Sequence, residues 1–163
     1  MEIQALRLLL TEHDLHHLAV RGAGPELAVR DLRVGIAAEG VSVSGTYPTS
    51  FLDVPFVTLW HLSVRGGRLA ARLASVQTGN GAGDLALDVF GLISPGAVRG
   101  TLMNAVARAV QGEDGLCVEG EAILVDFDRL AARSGLPVRT NLTGVRCGPG
   151  CLVLESSPNG TAH

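Results

Sequence analysis

The sequence predicts an α+β domain in which a curved antiparallel sheet wraps around one long amphipathic helix, with two short helices beside it. Most of the chain alternates apolar and polar residues, as strands do, and short turns join these segments, which favours antiparallel pairing. The segment after Pro95 instead carries an apolar stripe at helical spacing, and such a helix must cover a sheet face. We expect one domain over residues 1–156 and a polar tail over residues 157–163.

The composition of the 163-residue chain excludes disorder and argues against nucleic acid as a partner. Hydrophobic residues make up 47% and charged residues 18%, and the mean hydropathy is +0.31, whereas disordered chains are polar and highly charged. The net charge is -3, and the 13 basic residues, all arginine, form no stripe that could follow a phosphate backbone. The apolar residues exceed what a small core requires, which indicates an apolar cavity or an apolar interface.

The chain carries no sign of membrane insertion or secretion. No segment reaches the about 18 consecutive apolar residues of a spanning helix, and the start, MEIQALRLLL, lacks the features of a signal peptide. We therefore expect a cytoplasmic protein. Three cysteines are too few for a secreted disulfide scaffold. Cys147 and Cys151 flank a turn and could close a small disulfide loop, but for the cytoplasm we predict free thiols.

The first elements are a strand, a helix and a hairpin. Residues 3–10 are apolar and predict a strand, although one continuous helix from residue 3 is an alternative. Thr11, with Asp14 three positions later, has the pattern of a helix cap, and the helix over residues 12–20 ends at Gly22. From residue 26 the period changes to two, and Glu39-Gly40 predicts a turn between two strands.

The most apolar strand is predicted over residues 54–64, with a Gly-Gly turn at residues 65–68 leading into the next strand. Apolar side chains lie on both faces of its first half, which predicts that both faces are covered. The face shared by the larger side chains consists of Phe56, Trp60, Leu62 and Val64.

The second half of the chain contains the long helix. Residues 78–83 predict a flexible loop, and residues 85–93 fit either a strand or a helix. Ser94 and Pro95 have the pattern of a helix start, and Gly112 ends a helix that extends to about Gln111. After it we predict a strand over residues 116–125, a helix over residues 127–133 capped by Asp126, and strands over residues 138–146 and 151–156 around the turn at residues 148–150.

The polar motifs do not form a catalytic or metal-binding pattern. His13 and His17 lie one helical turn apart and, with His16, could hold a metal ion, but a solvated helix face explains them, and we predict no metal. The loop at residues 79–83 lacks the spacing of a dinucleotide motif. The pairs Glu119 with Glu121 and Asp126 with Asp128 are interpreted as a solvated strand face and a helix cap with its neighbour. We expect neither catalysis nor a cofactor.

The apolar surplus supports binding instead. A slot between a bent sheet and a helix suits acyl chains, so we predict non-catalytic binding of a lipid or another amphiphile, with a membrane surface as a possible partner. The alternative is a structural or interaction module that uses its apolar surface to form a homodimer or to dock a partner. The predicted lining of the slot is Phe56, Trp60, Leu62, Leu102, Met103, Val106 and Val110.

The order of these elements resembles a known family. The helix with Leu10-Thr11-Glu12-His13-Asp14-Leu15 precedes two strands with Glu39-Gly40-Val41-Ser42-Val43-Ser44-Gly45, then the turn Arg65-Gly66-Gly67-Arg68-Leu69 and the long helix. The end of the chain is similar to the last unit of LmeA-like phospholipid-binding proteins. It extends from Val125-Asp126-Phe127-Asp128-Arg129-Leu130 through Leu136-Pro137-Val138 to Gly150-Cys151-Leu152-Val153-Leu154. That resemblance implies a tubular lipid-binding (TULIP-like) fold with lipid tails in the groove, and pairing of two copies.

Overall fold

The computed structural model describes residues 6–22, 29–48, 53–78, 95–133, 135 and 139–157. The helices within these ranges are α1 (Glu12–Gly22), α2 (Pro95–Val110) and α3 (Phe127–Arg133). The strands are β1 (Leu6–Thr11), β2 (Arg30–Ala37), β3 (Gly40–Pro48), β4 (Asp53–Arg65), β5 (Arg68–Thr78), β6 (Leu116–Glu119), β7 (Ala122–Val125), β8 (Leu142–Gly148) and β9 (Cys151–Ser156).

The strands form two antiparallel sheets, which confirms the α+β class with antiparallel pairing. One sheet has six strands in the order β2-β3-β4-β5-β7-β6, and the other has three in the order β1-β9-β8. A single sheet was expected from the sequence. The alternation of side chains fixes which face a residue occupies but not which strand lies beside it, and β1 pairs with β9 from the opposite end of the described chain, with Leu6 opposite Ser156.

In the described part of the chain, the three-stranded sheet and helix α2 both cover the six-stranded sheet. They lie on the same face of it, called here the inner face. β4 places its even-numbered residues, from Val54 to Val64, on this face. The register between β4 and β5 shifts at Leu59 and Trp60, but the extra residue of this bulge belongs to β5. The alternation of β4 is therefore unbroken along its whole length, as predicted.

The three-stranded sheet packs on one end of the inner face. Together the two sheets bury an apolar cluster, called here the sheet cluster, and Leu10, Leu15, Leu62, Val64 and Phe127 pack against it. Two backbone hydrogen bonds also join the two sheets: Leu142 N–H donates to Gly67 O at 3.3 Å, and Gly150 N–H donates to Ile36 O at 3.0 Å. The sheet cluster consists of Ile36, Val41, Leu69, Leu142, Leu152 and Leu154.

Helix α2 covers the next part of the inner face. Its residue Met103 is buried with Trp60 of β4 and Leu73 of β5, and these three residues are called here the helix cluster. The contacts of α2 with the sheet are made mainly by β5 and β6. Within the described residues, the helix thus lies over one side of the sheet, and Val43 of β3 packs against both clusters.

The start of α1 was predicted correctly. Thr11 N–H and Thr11 Oγ1 donate to Asp14 Oδ2 at 2.9 and 2.7 Å, and Asp14 N–H donates to Thr11 Oγ1 at 3.3 Å, so the two residues cap the helix reciprocally. Residues 6–11 form β1, which is incompatible with a continuous helix from residue 3. Helix α3 begins after Asp126, whose Oδ1 accepts Arg129 N–H at 3.2 Å, also as predicted.

One predicted strand is wrong, and some predicted elements lie outside the described residues. Residues 116–125 form the hairpin of β6 and β7, because Gly120 has a φ of 62° and reverses the chain after Glu119. The last hairpin is present, but β8 begins at Leu142. The loop at residues 79–83, the segment 85–93 and residues 158–163 lie outside the described ranges.

Candidate functional site

The predicted lining of the slot is only partly brought together. Trp60 and Met103 both belong to the helix cluster, and Leu102 packs against that cluster. Leu62 shares the inner face with Trp60 but packs into the sheet cluster, so it lies under the three-stranded sheet instead of α2. Phe56 is buried, with its ring beside Gly45, and belongs to neither cluster.

Val106 and Val110 lie on the same side of α2 as Met103 and Arg99, since these positions are spaced by three and four residues. Both valines are half-buried, and neither belongs to the apolar clusters. Of the α2 side chains whose burial is described, Met103 alone is buried. The sheet-facing side of the helix is therefore incompletely covered by the part of the chain that the structure describes.

Arg99 fixes the beginning of α2 to the sheet. Its Nη2 donates to Leu73 O at 2.6 Å and to Glu121 Oε2 at 2.9 Å, and its Nε lies 2.6 Å from Glu121 Oε1. Glu121 belongs to the turn between β6 and β7, and its backbone oxygen accepts Leu73 N–H at 2.9 Å. One arginine thus ties the helix to β5 and to the β6–β7 turn.

Charged residues also fix the segment that follows α2. Arg129 Nη1 lies 3.2 Å from Asp114 Oδ1, and Arg133 pairs with Glu113, so both acidic residues are held by α3. The Glu113 carboxylate raises the pKa of Arg133, chiefly through their hydrogen bond. These side chains are about half exposed or more, so water screens both ion pairs. The end of α2 is therefore positioned, but weakly.

The inner face beside Trp60 contains a buried hydroxyl, that of Thr58, whose hydrogen bonds are made within the sheet. Thr58 Oγ1 donates to Val43 O at 3.0 Å and accepts from Trp60 Nε1 at 2.9 Å. Thr58 is 1% exposed, so these bonds prevent the cost of about 1–3 kcal/mol for an unpaired buried polar group. With its hydroxyl satisfied in this way, Thr58 leaves this part of the inner face effectively apolar.

Thr58, Arg99 and Glu121 were missed by the sequence analysis. Thr58 lies two positions before Trp60 on the same strand face, and that spacing could have indicated the indole hydrogen bond. The partnership of Arg99 with Glu121 had no signal, since 22 residues separate them. Glu121 had been placed on a strand face with Glu119, which is wrong because the turn at Gly120 lies between the two.

The remaining acidic pair has structural contacts. Asp126 caps α3 and lies 3.3 Å from Arg68 Nε through its Oδ2. Asp128 Oδ1 accepts Thr140 Oγ1 at 2.7 Å and also accepts Thr140 N–H. These bonds tie α3 to the segment before β8, and both carboxylates are engaged by groups of the chain itself.

The histidines of α1 stack on one another. The ring centroids of His13 and His17 are 4.4 Å apart in an edge-to-face arrangement, and those of His16 and His17 are 6.3 Å apart. Across the described ranges, no three His, Cys, Asp or Glu side chains are grouped so that they could hold a metal ion. The neighbouring Glu12 is engaged elsewhere, since its Oε1 accepts Ile36 N–H at 2.8 Å.

The three cysteines are free thiols, as predicted for Cys147 and Cys151. Cys147 pairs with the inward-facing Leu152, whereas Cys151 pairs with Gly148, so the two side chains point to opposite faces of the three-stranded sheet. Burial, followed by the nearby Cys151, raises the pKa of the Cys147 thiol. Cys117 of β6 is exposed.

Comparison with models of known protein families and with curated proteins gave no match. The resemblance to LmeA-like proteins stays a prediction from the order of elements. Among the described residues, no helix is long and apolar enough to cross a membrane.

Proposed function

We propose that this chain binds a lipid or another amphiphile without catalysis, with the acyl chain between α2 and the inner face of the six-stranded sheet. The observation that carries the proposal is how α2 is attached. Arg99 fixes its beginning, ion pairs to α3 position the segment after its end, and Met103 is the one buried residue between them among those whose burial is described.

Because α2 is attached mainly at its two ends, its middle could move away from the sheet to admit a ligand. A helix that belongs to a closed core buries a continuous apolar stripe, whereas Val106 and Val110 are half-buried. An acyl chain that lies against these side chains would remove their remaining apolar surface from water. Each methylene buried in this way contributes about 0.8 kcal/mol, so a few methylenes could compensate for a small outward movement of α2.

The polar groups at the edge of the helix support the same arrangement. Arg99 and Glu121 lie where α2 meets the β6–β7 turn, and their side chains are 30% and 52% exposed. A charged headgroup could remain in water beside them while the chain enters the apolar part. The Thr58 hydroxyl is satisfied within the sheet, so it offers no free donor that would select a polar ligand.

The test is binding of a fluorescent fatty acid to wild type and to Val106→Trp. If Val106 lines a lipid slot, the larger side chain fills the slot, and we expect a folded variant whose affinity for the probe falls at least tenfold. Val57→Trp is the matched control, because Val57 lies on the opposite face of β4 and is 43% exposed. This control should bind the probe as wild type does.

The opposite result is equally clear. In a close-packed core the tryptophan at position 106 would overpack and destabilise by about 1–3 kcal/mol. A wild-type protein that neither binds the probe nor carries lipid in native mass spectrometry, together with an unstable Val106→Trp variant, would refute the proposal. Val106→Glu should also lose binding, since it places a charge in the slot.

A further inference from the structure

Two of the edge strands, β2 and β8, are held by other parts of the chain. At β2, the first strand of the six-stranded sheet, Ile36 N–H is bonded to Glu12 Oε1 at 2.8 Å, and α1 packs against the strand. At β8, hydrogen bonds from Leu142 and Gly150 to the neighbouring layer hold the strand and its turn. Both edges are therefore occupied by groups of the same chain.

Strand β1 is the other edge of the three-stranded sheet, and it is exposed. Leu8 and Leu9 are 38% and 57% exposed, and Arg7 and Thr11 are exposed as well. Such an edge offers free backbone groups to another strand, and natural edges are normally blunted by charge, proline or a covering element. The three consecutive leucines of β1, Leu8 to Leu10, instead make this edge apolar.

The direction of the free backbone groups follows from Thr11. Its N–H donates to Asp14 Oδ2, so it is directed away from β9. Because the N–H groups of alternate strand residues point to the same side, those of Leu9 and Arg7 also point to the open side. Leu9 can therefore exchange hydrogen bonds with an added antiparallel strand, and the Arg7 N–H can donate to it.

We propose that β1 pairs with β1 of a second copy of this chain, antiparallel and centred on Leu9, so that the two three-stranded sheets become one continuous sheet. This inference is independent of the amphiphile proposal. It commits to a second copy because the edge is complementary to itself in this register. The two-fold symmetry places Leu9 opposite the partner's Leu9 and Arg7 opposite the partner's Thr11.

Charge complementarity selects this register over its neighbours. Within the described residues Arg7 has no ion pair, since the Glu155 beside it on β9 is bonded by Arg146 at 3.1 and 3.2 Å. The Asp14 carboxylate is held against Thr11, so Arg7 of one copy would meet Asp14 of the other, twice by symmetry. A register centred on Arg7 would instead place two arginines opposite each other, and one centred on Leu8 would place Arg7 opposite Leu9.

The apolar contacts agree with the same register. Leu9 and its neighbour Val153 on β9 share the outer face of the three-stranded sheet, so the two copies would form an apolar strip across the join. On the other face, Leu8 would lie opposite the partner's Leu10. The exposed leucines of the edge strand would thereby lose contact with water, which stabilises the pair.

Sedimentation velocity over a concentration series tests the pairing. Wild type should be a dimer at about 10–100 μM, the range of weak self-association. Leu9→Lys places two like charges opposite each other at the two-fold axis and should give a monomer. Leu18→Lys is the matched control, because Leu18 of α1 is 58% exposed and lies outside β1, and this variant should stay dimeric. Arg7→Glu should weaken the dimer at least fivefold.

A cross-link identifies the register. In Leu9→Cys made in a Cys117→Ser background, the two new thiols would lie on directly opposite residues about 5.5 Å apart, a separation that a disulfide spans. Oxidation should then give a covalent dimer, whereas Leu18→Cys in the same background should not. A wild type that is monomeric up to about 100 μM overturns the proposal. A dimer that survives Leu9→Lys and does not cross-link uses another surface and overturns it equally.

Discussion

The three-stranded sheet and helix α2 cover neighbouring parts of one sheet face, yet they cover it to different degrees. On the inward side of the three-stranded sheet, Leu152 and Leu154 are each 2% exposed, and buried residues of β2, β3, β5, β8 and β9 form one cluster. Beneath α2, the buried residues are Trp60, Leu73 and Met103, and the helix is attached largely through charged groups. The first covering is closely packed, whereas the second leaves Val106 and Val110 of α2 half-buried.

The geometry of the two elements explains the difference. Each strand of the three-stranded sheet directs every second side chain inward, so β8 and β9 together present a continuous apolar surface to the six-stranded sheet. A helix touches a sheet along one stripe, and α2 lies mainly over β5 and β6. The two regions should therefore respond differently to substitution.

The largest effect is expected in the sheet cluster. Leu154→Ala should lower the free energy of unfolding by about 2–5 kcal/mol, because a buried leucine is lost and a cavity is left. The control is Val153→Ala on the other face of the same strand, which is only half-buried and should lose less than half as much. Urea denaturation measures both, and equal losses would contradict the close packing on the inward side of β9.

A smaller effect is expected where α2 is attached. Arg99→Gln removes the ion pair with Glu121 and shortens the reach to Leu73 O, and we expect a loss of about 1–2 kcal/mol in urea denaturation. The fluorescence of Trp60, the one tryptophan of the chain, should change as the helix loosens over it. Arg108→Gln is the control, since Arg108 is exposed on the same helix. An unchanged stability for Arg99→Gln would mean that the arginine does not hold the helix.

Much of this arrangement was predictable from local patterns. The cap at Thr11 and Asp14, the extent of β4, the proline start of α2 and the last strand depend on neighbours in sequence, and the structure has them where they were predicted. The shared face of Trp60 and Leu62 followed from strand alternation. These features were accessible because capping and strand periodicity operate over a few residues.

The division into two sheets was not predictable by the same means. Leu62 and Trp60 are adjacent on one face, but Leu62 lies under the three-stranded sheet and Trp60 under α2, and nothing in their spacing distinguishes them. The pairing of β1 with β9 and the bond of Arg99 with Glu121 join distant segments. Such contacts are set by tertiary packing, which propensity and periodicity do not encode.

An effect of pH is expected at the junction of β1 and α1, which belongs to the closed covering. Hydrogen bonds from the Thr11 backbone and side chain lower the pKa of Asp14 below its usual value of 3.8. A carboxyl with a lowered pKa stabilises the fold above its usual pKa and loses this contribution as the pH falls through the lowered value. As the pH is lowered from about 5 to about 3, the melting temperature should therefore fall less steeply for Asp14→Asn than for wild type. The control Glu39→Gln changes an exposed carboxylate outside this junction and should follow the wild-type pH dependence. Parallel slopes for all three proteins would contradict the role of Asp14.

The smallest effect is expected for the two cysteines of the last hairpin. Cys147 and Cys151 face opposite sides of the three-stranded sheet, so they cannot join without rearranging β8 and β9. Adding reductant should leave the melting temperature of wild type unchanged, and a fall of several degrees would show a stabilising disulfide. Since burial raises the pKa of Cys147, this thiol stays protonated and should react slowly with a thiol reagent, after the exposed Cys117. Cys117→Ser should remove the fast phase of that reaction. If a fast phase persists, the last hairpin opens readily, and the three-stranded sheet does not pack as closely on the six-stranded sheet as the structure indicates.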